Sequence, residues 1–189
     1  MHIGRLSAVM MMLLMGAGGT AAAQDRGAGV TAGAPSMIGV IWHASDKIAI
    51  RPEITLSGGS SSTDSSTFDA ESDRWSVGTR VSVLYYLHTY DRLRTYISPS
   101  FTYAYTSSTT NSVSATITGI SVPSLKTTAH AVGGDGSFGA QYRLADKFSV
   151  FGELGFGFSH ASSTSNLTPV KSTGNNWSTR TAVGVIFYP

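Results

Sequence analysis

Two groups of residues in this chain have the side-chain types that chemistry requires. His160 and Ser162 stand two apart in His160-Ala161-Ser162. A Ser–His hydrolase needs the histidine to take the serine proton and a third group, usually a carboxylate, to orient it. No Asp or Glu follows Glu153, so the pair reads as a histidine beside a Ser-rich stretch. His43, His88, His130 and His160 are scattered without metal-ligand spacing. Asp64, Asp69, Glu71 and Asp73 cluster; such a group can attract a divalent cation, yet a solvated acidic loop explains it more simply. Gly155 and Gly157 open no helix, so they form no dinucleotide motif. Neither a metal nor a cofactor is expected.

The second group is Arg51, Glu53, Arg80, Asp135, Glu153 and Arg180, three positive and three negative. Their chemistry is electrostatic: arginine and carboxylate pair when both leave bulk water. What matters is the kind of element that carries them. From Lys147 to His160 the chain reads in steps of two. Phe148, Val150, Leu154, Phe156 and Phe158 share one face with Gly152. Ser149, Phe151, Glu153, Gly155, Gly157 and Ser159 share the other. A period of two predicts a strand, with Glu153 at the middle of its polar face and His160 on the apolar phase.

The same alternation predicts strands over Met37–Ala44, Ile48–Ser57, Arg74–His88, Arg94–Tyr105, Thr127–Arg143 and Asn176–Tyr188. The Gly27–Gly33 run supplies an eighth, joined to its neighbour by a short connection at Ala34-Pro35-Ser36. Ser45-Asp46-Lys47, Tyr90-Asp91-Arg92 and Ala145-Asp146-Lys147 repeat as tight turns, their Asp residues 45 and 55 positions apart. Long polar loops are expected at 58–73, 106–126 and 161–174, and the Val-Ser-Ala-Thr-Ile-Thr core of the second suggests strands that continue as a ribbon. Short and long connections thus alternate, the pattern of a barrel with tight periplasmic turns and long outer loops. The fold class expected is all-β, a transmembrane antiparallel up-and-down barrel of eight strands.

Composition agrees. Only 13% of the 189 residues are charged, about half the share in a typical soluble domain. Basic His2 and Arg5, an apolar run from Leu6 to Met15 and small residues ending at Ala21-Ala22-Ala23 make a secretory signal. Domain boundaries of 1–23 (signal peptide) and 24–189 (barrel) follow, with export to the outer membrane. No cysteine is present, which excludes a disulfide scaffold and a lipoprotein anchor. Without Arg5 the 13 Lys and Arg become 12 against 11 Asp and Glu, which gives no footprint for nucleic acid.

The six mid-strand ions also choose between two barrels. In the buried face of a soluble sheet each unpaired ion costs several kcal/mol; inside a small hydrated barrel they can pair with one another. The opposite phase, rich in Ile, Val, Phe, Tyr and Trp, is too apolar for a wetted surface. A secreted lipocalin-like barrel would invert these phases. Trp42, Trp75, Tyr105 and Trp177 lie towards strand ends, where a membrane-interface girdle places aromatics.

The hairpin units Ile48–Ser57 and Phe138–Gly157 resemble the outer-membrane β-barrel family of small porin-like proteins. Val183-Gly-Val-Ile-Phe-Tyr188 resembles the aromatic C-terminal signal read by the barrel-assembly machinery, through Phe187 and Tyr188; members usually end in an aromatic, and here Pro189 follows. The resemblance implies an eight-stranded barrel of the outer-membrane protein A and X kind, mostly without enzymatic role. The His-x-Ser pair resembles that of the lipid A deacylase barrels, but the acidic residue that follows in that family has no counterpart here. The function expected is a monomeric structural barrel with its lumen plugged by the six charges, meeting outer-membrane lipid and, during biogenesis, the assembly machinery. The rivals are a narrow channel for ions or small solutes and surface adhesion through the loops, with a lipid A-modifying hydrolase a distant third.

Overall fold

The computed structural model describes residues 27–35, 37–64, 68–114, 124–167 and 171–189; the expected signal over 1–23 lies outside them. Eight antiparallel strands run in order β1 (Ala28–Ala34), β2 (Met37–His43), β3 (Ile48–Asp64), β4 (Phe68–Tyr90), β5 (Leu93–Ser114), β6 (Leu125–Ala145), β7 (Phe148–Ser165) and β8 (Lys171–Phe187). Each pairs with the next, and β1 pairs with β8, so the sheet closes on itself. Closure leaves no free edge along the paired length. Among the described residues there is no helix. The expected fold class and all eight strands are present, including the first.

The long loops over 58–73 and 161–174 are a correction, and over 106–126 the strand continues at least to Ser114, as the suggested ribbon would. Pairing continues from Leu56↔Val77 to Asp64↔Asp69 between β3 and β4, and from Val77↔Tyr105 to Phe68↔Ser114 between β4 and β5. Strands β6 to β8 extend likewise, to Thr127↔Ser165 and Thr164↔Lys171. Composition misled here because Ser and Asp favour turns, whereas alternating Thr and Ser in register with a partner satisfy every backbone group in a ladder. The tight turns stand where the Asp residues mark them. Asp91 has φ 39°, a left-handed conformation that Asp tolerates better than most residues.

The side chains are distributed inside out. Leu154 is 64% exposed and Trp177 65%, whereas Arg51 is fully buried and Glu153 is 5% exposed. The outward phase holds Ile38, Leu56, Phe101, Phe138 and Val183, all exposed. A soluble barrel buries such residues and wets its charges; this one does the reverse.

Candidate functional site

Register brings the six ions together. Arg51 and Glu53 face inward from β3, Arg80 from β4, Asp135 from β6, Glu153 from β7 and Arg180 from β8. Glu153 is flanked in register by Gly139 and Ala182, and Arg180 by Gly155. These small neighbours leave room for the long side chains to cross the lumen. The result is one chain of alternating charge. Glu53 meets Arg51 Nε at 3.2 Å, and Arg51 Nη2 donates to Glu153 Oε1 at 2.5 Å. Arg180 Nη1 donates to Glu153 Oε2 at 2.5 Å, and Arg180 Nε lies 3.3 Å from Asp135. Asp135 then meets Arg80 Nη1 at 3.1 Å. Tyr96 donates its hydroxyl to Glu153 at 2.9 Å, and Ser100 donates to Asp135.

Glu153 is the hub, because two guanidiniums and a phenol converge on one carboxylate. Charge-assisted bonds of this kind are about twice as strong as neutral ones. Each of the six ions meets an opposite charge.

Below it, towards the tight turns, lies a second layer that the alternation did not single out. Ile41, Leu84 and Ile186 are buried there with almost no exposure. Tyr86 donates to Gln141 Oε1 at 3.2 Å, and Gln141 Nε2 donates to the Tyr188 hydroxyl at 3.2 Å. That hydroxyl also lies 3.0 Å from His43 Nε2. Phe151 lies under Arg51, its ring centroid 4.8 Å from the guanidinium carbon, a cation–π contact. The sequence signal was available: Leu84, Tyr86 and Phe151 sit on the polar phase, where a wide water-filled pore has no use for them. Tyr188→Phe should remove the hydroxyl that Gln141 and His43 share. Its expected cost is about 1–3 kcal/mol from leaving buried polar groups unpaired, read as a lower unfolding temperature in a heat-modifiability gel.

Towards the long ribbons the lumen widens into a cavity of about 750 Å³ whose lining includes Glu53, Arg80, Asp135 and Arg180. The other candidates are not brought together. His160 bonds Asn175 Oδ1 at 2.8 Å and is exposed on the ribbon, so an amide, with no basicity to lend, orients it. His130 bonds Tyr103 at 2.9 Å, and His88 stacks on Tyr90. Among the described residues no group of His, Asp and Glu is placed to hold a metal. Glu71 and Asp73 lie on strand β4 instead of in a loop; the side chains of Asp64 and Asp69 lie outside the described residues.

Trp42 sits near the turn end of β2, while Trp75, Tyr105 and Trp177 sit near the ribbon end. Trp75 packs on Tyr105 with centroids 5.1 Å apart. Phe187 points outward at 48% exposure, and Tyr188 turns into the lumen at 6%.

No family model and no curated protein matches this sequence. Among solved structures the fold is similar to a major outer membrane protein from Thermus thermophilus, at 14% identity and TM-score 0.50, over 85% of this chain and 97% of that one. CarO2 from Acinetobacter baumannii matches at 14% identity and TM-score 0.46, over 87% and 98%. The outer membrane protease OmpT from Escherichia coli matches at 12% identity and TM-score 0.41, over 81% and 83%. At such identities the first of these bears on the barrel fold alone.

Proposed function

We propose that this chain is an integral outer-membrane β-barrel of structural, porin-like type, its lumen plugged by side chains and its ribbons displayed at the cell surface. One observation carries the reading: an apolar belt surrounds a buried, neutral chain of six charges. Such a belt in water would be a large exposed apolar patch, a liability that lipid removes. The tight turns then face the periplasm, and the aromatics form two interfacial girdles, Trp42 at one level and Trp75, Tyr105 and Trp177 at the other. Phe187 and Tyr188 serve the assembly machinery as a C-terminal signal, and cleavage after Ala23 leaves Gln24 as the first residue. The barrel acts as a monomer, without cofactor or catalytic step.

The test is fractionation. The protein should partition with outer membranes and migrate faster unboiled than boiled. Phe138→Arg, a charge placed on the belt where Phe138 is 55% exposed, should cost about 2–4 kcal/mol near mid-bilayer and reduce the folded, membrane-inserted form. A wild-type protein recovered in the soluble periplasm contradicts the proposal.

A second reading, surface adhesion, draws on the ribbon itself. β4 and β5 stay paired beyond Trp75 to Phe68↔Ser114, roughly 20 Å along a strand, which makes a Ser/Thr-rich platform. Removing residues 108–124 should then abolish attachment of cells that display the protein; unchanged attachment rejects this reading.

A further inference from the structure

The barrel wall is not equally tall all round. Pairing of β1 with β8 ends at Ala34↔Val183, and pairing of β2 with β3 ends at Met37↔Thr55. Yet β8 runs on to Lys171 and β3 to Asp64. Above the short β1–β2 hairpin, residues 171–182 and 56–64 therefore have a strand partner on one side only among the described residues. The two bare edges border a notch in the wall. Its lower part lies at the level of the apolar belt, because Leu56, 66% exposed, stands on one edge, while Trp177 of the girdle marks the upper limit of the belt on the other. Unpaired backbone facing hydrocarbon costs several kcal/mol per group, so at this depth it must be covered or border a wet cavity. The wide end of the lumen is that cavity: its lining reaches Ala34 and Pro35 at the hairpin tip, the sill of the notch.

What the cavity offers is set by the ends of the charge chain. Arg51 and Arg180 each meet two carboxylates, but Arg80 meets one and has a side chain 22% exposed. At the other end Glu53, 6% exposed, has Oε2 without a hydrogen-bond partner. Glu53 and Arg80 are register partners on β3 and β4, and both line the cavity. One anion-seeking and one cation-seeking group thus stand side by side, facing a space of about 750 Å³. That volume falls within the range of small-molecule sites, roughly 300–1,000 Å³.

Resting on the outer-membrane reading, the geometry points to a lateral lipid site: an amphiphile with a zwitterionic phosphate–ammonium head enters through the notch. Its phosphate meets Arg80, its ammonium meets Glu53, and its acyl chain leaves between β3 and β8 into the bilayer. Amphiphile and notch cover each other's exposed groups.

The probe is a lysophosphatidylethanolamine with a diazirine in its acyl chain, added to the mature barrel in phosphatidylglycerol vesicles. Photo-adducts are mapped by mass spectrometry. The site predicts adducts on the notch edge and lumen, at Ser178, Ala182 and Ala104, beyond those at belt residues Phe101, Phe138 and Leu154. Unlabelled lysophosphatidylethanolamine should compete for the lumenal adducts and lysophosphatidylglycerol, which has no ammonium, should not. Glu53→Gln should weaken that competition about tenfold, the effect of losing one charge-assisted bond. Ala104→Trp, which fills the cavity, should abolish the lumenal adducts and spare those on the belt. Adducts confined to the belt, lumenal labelling indifferent to head group, or a native mass of two copies joined through the notch would each overturn the site. Absence of belt adducts altogether would instead defeat the membrane reading on which it rests.

Discussion

Glu153→Ala is expected to lower the unfolding temperature of the barrel more than the loss of any other lumenal charge. Removing this carboxylate takes a partner from Arg51 and from Arg180 at once, and Arg51 is fully buried. Breaking a buried pair by deleting one member costs about 3–5 kcal/mol, because an uncompensated charge stays behind. At ~2–4 °C per kcal/mol for a domain of this size, the loss is on the order of 10 °C. Tyr96 also loses its acceptor. Glu153→Gln, which keeps the shape and one acceptor but not the charge, should fall between wild type and Glu153→Ala. The midpoint at which the unboiled gel band converts to the unfolded one measures all three. Equal midpoints would mean that the charges do not hold the barrel together.

Gly139→Leu is expected to have an effect of similar size, and for a steric reason. Gly139 lies opposite Tyr96 in register, and a Cβ there would stand 2.5 Å from two Tyr96 ring carbons and 2.7 Å from its hydroxyl oxygen. The ring is fully buried, edge-on to Tyr86 at 5.7 Å, and has nowhere to retreat. Overpacking costs about 1–3 kcal/mol, and displacing the hydroxyl from Glu153 costs a further ~1.5–3 kcal/mol as a bond to a charged group. Tyr96→Phe, which loses only the hydroxyl, should show the second part alone. Gly136→Ala is the control, since a Cβ at Gly136 meets nothing within 4 Å. The same gel assay should order the variants Gly139→Leu, Tyr96→Phe, Gly136→Ala, from most to least destabilised.

The contrast between these two residues shows what could be read from sequence. Glu153 was legible because alternation fixes its face, and a charge in mid-strand opposite phenylalanines admits few environments. The other five ions followed by the same rule, since register along a strand is a local property. Gly139 was not legible. Its role depends on which residue of a neighbouring strand lies beside it, and that pairing is set by barrel closure, not by anything within β6. The lower layer of Tyr86, Gln141, His43 and Tyr188 was hidden likewise, because its members come from four separated stretches and meet only through the lumen. Tyr188 is instructive: the terminal aromatic pattern singles it out, yet the structure buries it against Gln141 while Phe187 faces outward. The ribbons over 58–73 and 161–174 were misread because Ser-rich composition resembles a loop until a partner strand is known; over 106–126 the Val-Ser-Ala-Thr-Ile-Thr core already hinted at continuing strands, and β5 runs on to Ser114. The notch arises the same way, from the difference in length between β1–β2 and their neighbours β3 and β8.

On the proposed reading two layers of side chains close the lumen: six alternating ions at mid-height, and Ile41, Leu84, Tyr86 and Ile186 beneath them. Single-channel recording of the purified barrel in a planar bilayer distinguishes a plug from a pore. The plugged barrel should insert without resolvable conductance steps, and the double variant Leu84→Gly, Tyr86→Gly should begin to conduct as the lower layer is removed. Steady open-channel steps from the wild-type protein, unchanged in that variant, would contradict the plug and favour a narrow passage for ions or small solutes.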